Sequence, residues 1–120
     1  MEANGTNIYD VTFGRIMFLQ RIIKGHDNVT SFIRHHDLAF DVSRQRQRDT
    51  VQVICVDEYA LSEAMARRVL NDFPDTGIIF VGGKWNSSTA DARSFCRTKK
   101  VGVYNAGDIN SGLSKAKYWL

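Results

Sequence analysis

Hydrophobic and polar residues alternate through the middle of the chain in a pattern that predicts a β-hairpin. Two extended segments, Leu38–Arg44 and Thr50–Val56, flank the polar turn Gln45–Arg48. The first arm alternates apolar and polar positions, as a strand with one buried face does. The second arm is apolar on nearly both faces, which is typical of a central strand. The hairpin is therefore expected to lie inside a larger sheet.

After the hairpin, segments with helical spacing alternate with short apolar runs. The predicted helices are Leu61–Phe73 and Thr89–Lys99, and the predicted strands are Gly77–Gly83 and Val101–Asn105. Strands joined by helical crossovers run parallel, because the crossover returns the chain to the same edge of the sheet. A hairpin followed by such units predicts an α/β fold with a mixed central sheet flanked by helices.

The N-terminal third adds one helix and one segment whose placement stays open. Helical spacing predicts a helix over Val11–Lys24. Val29–Arg34 is β-branched and aromatic, and it either joins the sheet as a first strand or lies outside it. Residues 1–7 are polar and are expected to be flexible. A length of 120 residues predicts a single domain covering 1–120.

Composition and charge narrow the class of protein only slightly. The net charge of +3 and the pI near 9.0 permit a nucleic-acid partner without requiring one. Cys55 and Cys96 have no metal-ligand or disulfide spacing, which favours a reducing compartment and hence the cytoplasm. No apolar run approaches the length of a membrane span, so no membrane partner is expected.

The order helix, three strands, helix, strand, helix, strand resembles that of a known enzyme superfamily. The matching stretches are Asp41, Val51–Ile54, Gly77–Gly83, Ala92–Lys100 and Val101–Asn105, over about two thirds of the chain. They resemble the restriction-endonuclease-like (PD-(D/E)xK) superfamily, and most nearly its Mrr-type restriction endonuclease domain. The resemblance implies a hairpin that carries an Asp and then a Glu/Gln-x-Lys triplet. In that chemistry two oxygens hold a divalent metal and the lysine assists the attacking water.

The chain departs from this pattern at the lysine. Asp41 and Gln52 match the metal-binding positions, but Ile54 stands where the lysine is expected. An isoleucine can neither orient water nor balance negative charge. The favoured hypothesis is a nucleic-acid-interacting protein with a degenerate active site, no cofactor, and DNA favoured over RNA as partner.

Two alternatives stay open. The first is an active Mg²⁺-dependent nuclease in which Lys84 is the relocated lysine beside Asp41 and Gln52, with the metal on Asp41. The second is a non-enzymatic regulatory or assembly protein that forms a homodimer or larger homo-oligomer through an apolar edge and the tail 113–120. Fold alone does not decide among these hypotheses.

The candidate nucleic-acid contacts are basic and aromatic residues at strand ends and helix ends. Strand alternation would place three arginines of the hairpin on one side, although such charges also protect a sheet edge from aggregation. The charges around the second crossover helix also suit a helix C-terminus. Trp85 would stack on a base. The residues are Arg44, Arg46, Arg48, Lys84, Trp85, Arg93, Arg97, Lys99 and Lys100.

Other polar residues have both a functional and a structural interpretation. The loop Gly82-Gly83-Lys84 suits either an anion site or a bend away from the sheet. Asp57 suits either a cation site or a helix cap. Asp41 itself would pair with Arg44 or Arg46 in the structural interpretation. Adjacent His35 and His36 are expected on opposite faces, which argues against a shared metal.

Overall fold

A computed structural model describes residues 4–120 and shows a five-stranded mixed sheet flanked by helices. The strand order is β1-β2-β3-β5-β7, and a separate two-stranded sheet pairs β4 with β6. In chain order the elements are α1 (Phe13–Gly25), β1 (Val29–His35), β2 (Ala39–Arg44), β3 (Asp49–Cys55), β4 (Ala60–Leu61), α2 (Glu63–Asp72), β5 (Thr76–Phe80), β6 (Ser87–Ser88), α3 (Ala90–Thr98), β7 (Gly102–Tyr104) and α4 (Ile109–Ser114). The predicted α/β class with a mixed central sheet is confirmed. Its assignment to the restriction-endonuclease-like fold stays a prediction.

The predicted hairpin is confirmed, with β2 and β3 antiparallel around a turn at residues 45–48. Its register places Asp41 opposite Gln52 and Ala39 opposite Ile54. Residues directly opposite each other share one face of the sheet. The register therefore brings the Asp41 and Gln52 side chains together.

The segment whose placement was open is a strand at the edge of the sheet. Strand β1 pairs antiparallel with β2, and Ile33 lies opposite Asp41. The Ile33 side chain is 68% exposed. Strands β1, β2 and β3 thus form the antiparallel half of the sheet, with the predicted hairpin on its inner side.

The second half of the sheet is parallel, as the crossovers predict. Strand β5 pairs parallel with both β3 and β7. All five β5 residues are buried, which explains the wholly apolar run in the sequence. Both crossovers step in the same direction along the sheet, so right-handed connections place α2 and α3 on one face. These two helices also pack against each other.

The opposite face is covered by α1, α4 and the C-terminal tail. The Phe18 ring of α1 lies 6.4 Å from the Phe80 ring, and Gly112 of α4 lies against the Tyr104 ring. Phe80 and Tyr104 are directly paired between β5 and β7, so the two helices share this face. Within the tail, the Tyr118 residue lies against Gly77 and Gly102 of the sheet.

Two further expectations concern the chain ends and the cysteines. The segment expected to be flexible is residues 1–7, of which residues 1–3 lie outside the described residues. In the described part, the Gly5 N–H and the Asn7 side-chain amide donate hydrogen bonds to the buried Asp37 carboxylate, each at 2.8 Å.

Cys55 and Cys96 are free and buried, and burial raises the pKa of Cys96 to about 11. Within residues 4–120 no helix combines the length and the apolar character needed to traverse a bilayer.

Candidate nucleic-acid interface

Asp41 lies in a small polar cluster with Gln52 and His35. Asp41 Oδ1 accepts a hydrogen bond from Gln52 Nε2 at 3.1 Å, and His35 Nε2 lies 3.1 Å from the same oxygen. The hairpin register and the β1 pairing produce both contacts. The expected pairing of Asp41 with Arg44 or Arg46 is wrong, because the basic partner comes from β1 instead.

The expectation that His35 and His36 point to opposite faces is also wrong. Their Nδ1 atoms lie 2.6 Å apart, and the ring centroids are separated by 4.9 Å. Strand β1 ends at His35, and His36 has a left-handed φ of 51°, which breaks the alternation of the strand. A contact this short requires one ring nitrogen to donate and the other to accept.

The Asp41 cluster does not fit the metal that the resemblance implies. The Asp41 oxygen already faces two nitrogen atoms, and across residues 4–120 no three His, Cys, Asp or Glu side chains are arranged to hold a metal ion. Gln52 Oε1 is buried and has no hydrogen-bond partner in the same range, but one amide oxygen is a weak ligand. Ile54 is fully buried at the lysine position. The cluster therefore lacks the donor set for metal-assisted hydrolysis.

The structure does not bring Lys84 to this cluster. Gln52 lies opposite Thr76, and the strand continues from there for roughly 13 Å to Phe80 before the Lys84 loop begins. Lys84 Nζ instead lies 5.3 Å from the centroid of the Trp85 ring, and its backbone oxygen accepts from Asn105. The expected trio of Asp41, Gln52 and Lys84 is not assembled.

The expected row of hairpin arginines is wrong because the strand ends at Arg44. Arg44 is 2% exposed, and its guanidinium donates to both carboxylate oxygens of Asp49 at 2.8 and 2.7 Å. Arg46 and Arg48 are exposed in the turn, where Arg48 has a left-handed φ of 54°. Arg44 is thus a structural residue, and the other two remain available to a partner.

The Gly-Gly loop after β5 is a bend whose close approach requires glycine. Gly82 has a φ of +113°, and a Cβ there would lie 2.7 Å from both Asn86 Nδ2 and Asp57 Oδ1. Asp57 contacts Arg15 Nε at 3.5 Å and Asn86 Nδ2 at 3.3 Å. These contacts favour the structural interpretation of the loop and of Asp57. The proposed cap by Asp57 is nevertheless wrong, because Ser62 caps α2.

The loop also does not deliver Lys84 to the start of α3. Strand β6 intervenes, and Thr89 caps the helix by accepting from the Ala92 N–H. The cradle of free N–H groups expected beside Lys84 is therefore not formed at that helix start.

A groove beside the edge strand β7 gathers most of the remaining basic residues. We call the surface formed by Arg93, Arg97, Lys115, Tyr118 and Trp119 the basic groove; these residues line a cleft of about 240 Å³, which Asp108 also lines. Lys100 Nζ lies 5.7 Å from the Trp119 ring centroid and flanks it, whereas Lys99 faces Phe95 on the side toward α2. Among residues 4–120, no Asp or Glu side chain lies within 4.0 Å of the charged groups of Arg93, Arg97, Lys99, Lys100 or Lys115.

Three members of this surface were not expected from the sequence as nucleic-acid contacts: Lys115, Tyr118 and Trp119. The signal that points to them is the distribution of charge. Seven of the 16 basic residues but two of the 13 acidic ones lie in residues 84–120. The excess positive charge of the chain therefore comes from this segment, although only the tertiary structure joins its parts into one groove.

A second surface begins at the carboxyl ends of β3 and β5, where two aromatic side chains project into solvent. Tyr59 is 77% exposed and Trp85 is 78% exposed. We call Tyr59, Lys84 and Trp85 the aromatic rim. A smaller cleft of about 160 Å³ shares Arg93 and Asp108 with the basic groove and is also lined by Asn86, the residue that follows Trp85. Tyr59 was not predicted as a site residue.

Searches of protein-family models, curated proteins and solved structures find no match for this chain.

Proposed function

We propose that this chain binds nucleic acid through the basic groove and does not cleave it. The observation that carries the proposal is a groove in which Arg93, Arg97 and Lys115 outnumber Asp108, the one acidic side chain of its lining, which lies more than 4.0 Å from their charged groups. Phosphate contacts of this kind dominate the affinity of proteins for nucleic acids. On α2, by contrast, the exposed arginines are paired within the protein: Arg67 with Glu63, and Arg68 with Asp72.

The shape of the surface suits an extended anionic chain. Strand β7 runs roughly 7 Å from Gly102 to Tyr104, and the basic side chains of Arg93, Arg97 and Lys115 line the cleft beside it. Arg93 is held on this edge by donating to the Ser88 backbone and hydroxyl oxygens. Its guanidinium thus stays beside the groove without acquiring an acidic partner.

We propose that the chain does not cleave nucleic acid because of the composition of the Asp41 cluster. A restriction-endonuclease-like origin would explain why Asp41 and Gln52 occupy opposed positions on the hairpin while Ile54 replaces the lysine. The same resemblance favours DNA over RNA as the partner. Two free, buried cysteines are consistent with a reducing, cytoplasmic location.

The test is binding measured by fluorescence polarisation over a series of salt concentrations. We expect the Arg93→Gln/Arg97→Gln double variant to bind more weakly and to lower the slope of log K against log salt by about 1.5 to 2. The matched control is Arg67→Gln/Arg68→Gln, which removes the same charge from α2. Lack of binding to every duplex and single strand at low salt, or equal loss in both double variants, would refute the proposed interface.

The homo-oligomer alternative gains no support from the tail. Tyr104 Oη donates to the Tyr118 backbone oxygen at 2.5 Å, and the Arg44 guanidinium lies 5.3 Å from the Tyr118 ring centroid. The tail therefore packs on its own sheet, and the edge strand β1 remains the surface on which that alternative would depend.

A further inference from the structure

We infer that the aromatic rim binds unpaired bases, so that the preferred ligand is a single-stranded nucleic acid whose backbone lies in the basic groove. This inference deepens the proposed function and rests on it. It assigns a role to Tyr59 and Trp85, two of the most exposed apolar side chains of the described residues. Neither is needed for packing at that exposure.

The two aromatic side chains are held on neighbouring loops by backbone pairing. Ala60 of β4 lies opposite Ser87 of β6, and the Ser87 N–H donates to the Tyr59 carbonyl at 2.8 Å. Trp85 lies two residues before Ser87. The main chains at Tyr59 and Trp85 are therefore fixed close together while the side chains extend into solvent. Such a pair offers two surfaces on which bases can stack.

The Trp85 loop is also anchored from β7. Asn105 Nδ2 donates to the Lys84 and Asn86 carbonyls at 3.2 and 2.9 Å, and Asn86 Nδ2 donates to the Val81 carbonyl at 2.9 Å. These bonds hold both sides of Trp85. A fixed platform loses little conformational freedom on binding, which favours affinity.

The rim carries one cation beside Trp85, whereas Asp57 and Glu58 directly precede Tyr59 on the other loop. Lys84 Nζ lies 5.3 Å from the Trp85 ring centroid and has no acidic side chain within 4.0 Å among residues 4–120. Exposed aromatic side chains next to a cationic track are the combination that single-strand-binding proteins use. In a duplex the bases are stacked on one another, so their faces are not available to Tyr59 and Trp85.

The experiment compares three labelled probes of about 20 nucleotides: a mixed-sequence single-stranded DNA, the same sequence as RNA, and the DNA duplex. We expect wild-type protein to bind a single strand more tightly than the duplex. Tyr59→Ala and Trp85→Ala should each weaken single-strand binding about 5- to 150-fold, the range that alanine substitution gives for base stacking. Duplex binding should change little.

Three controls separate stacking from other effects. Tyr59→Phe keeps the ring and should retain wild-type affinity for the single strand. Ile33→Ala removes a similarly exposed apolar side chain at the opposite edge of the sheet and should also bind normally. Because stacking neutralises no phosphate, the rim variants should leave the salt slope unchanged, unlike Arg93→Gln/Arg97→Gln.

The outcomes distinguish this inference from the function on which it rests. Equal single-strand and duplex affinities, with Tyr59→Ala and Trp85→Ala without effect, would overturn the inference and leave binding through the basic groove intact. Lack of binding to all three probes would overturn both. If this chain captures a protein through Tyr59 and Trp85 and shows no affinity for nucleic acid, the rim is a protein interface. That result would likewise overturn the inference.

Discussion

Arg44 and Asp49 form a bidentate ion pair at the turn end of the hairpin, with the guanidinium buried and the Asp49 side chain 40% exposed. The register places the two residues directly opposite each other. The same guanidinium donates to the Lys115 carbonyl at 2.5 Å and lies over the Tyr118 ring. The pair therefore connects the hairpin to the tail that forms one wall of the basic groove.

We expect Asp49→Asn to lower the free energy of unfolding by about 1–3 kcal/mol at neutral pH, because it leaves the buried Arg44 without its counter-charge. The Arg44 hydrogen bonds hold the pKa of Asp49 below its ordinary value of 3.8. A lowered folded-state pKa stabilises the protein above 3.8 and loses that effect as the pH falls through the folded value. Urea unfolding of both proteins at neutral pH and below pH 3.8 measures this dependence.

The difference between wild type and Asp49→Asn should therefore shrink as the medium becomes acidic. Asp75→Asn is the matched control, since that exposed carboxylate has no ion pair within residues 4–120. A difference that stays constant from neutral pH into the acid range would contradict the assigned role of the pair.

Gly102→Ala should loosen the C-terminal tail. A Cβ at that position would collide with the Tyr118 carbonyl oxygen and lie 2.7 Å from the Tyr104 ring. We expect a loss of about 1–3 kcal/mol in the free energy of unfolding, as overpacking produces, together with faster tryptic cleavage after Lys115 and Lys117. Gly14→Ala is the control: it lies in α1 with nothing within 4 Å of the added carbon, and should gain about 0.5–1 kcal/mol. Equal cleavage rates in Gly102→Ala and wild type would show that the tail is held elsewhere.

Asp41→Ala should not alter any activity on DNA. Asp41 faces His35 and Gln52 rather than a lysine, and Ile54 is buried. We expect neither wild type nor variant to convert supercoiled plasmid to nicked or linear forms with Mg²⁺ or Mn²⁺, as followed by gel electrophoresis. Metal-dependent cleavage by wild type that Asp41→Ala abolishes would establish the nuclease alternative and remove the degenerate-site hypothesis.

The parts of the fold that the sequence predicted are those with strong local periodicity. The hairpin, both crossover helices and the parallel strands were placed within a few residues, because alternation of period two and helical spacing report burial directly. Val29–Arg34 stayed open because an edge strand has one exposed side and a weaker pattern. Its pairing with β2 comes from the tertiary structure.

The errors at the candidate sites have a common origin in strand ends and turns. Alternation stops where a residue takes a left-handed φ, as His36 and Arg48 do, and the side chains beyond it no longer follow the strand. Arg44 was misassigned because a charged residue was expected to face solvent, whereas Asp49 and the tail carbonyls satisfy it in the interior. The tail carbonyls belong to residues that are distant from Arg44 in sequence, so local patterns do not reveal this part of the compensation.

By itself the sequence determined the α/β architecture, the presence of Asp41 and Gln52 on the two arms of one hairpin, and the isoleucine at the position of the expected lysine. Only the tertiary structure decided which charges are free. It neutralised Arg44, separated Lys84 from Asp41, and brought Arg93, Arg97 and Lys115 together beside β7. The physical reason is that burial and ion pairing depend on contacts between distant segments, whereas strand and helix periodicity depends on neighbours along the chain.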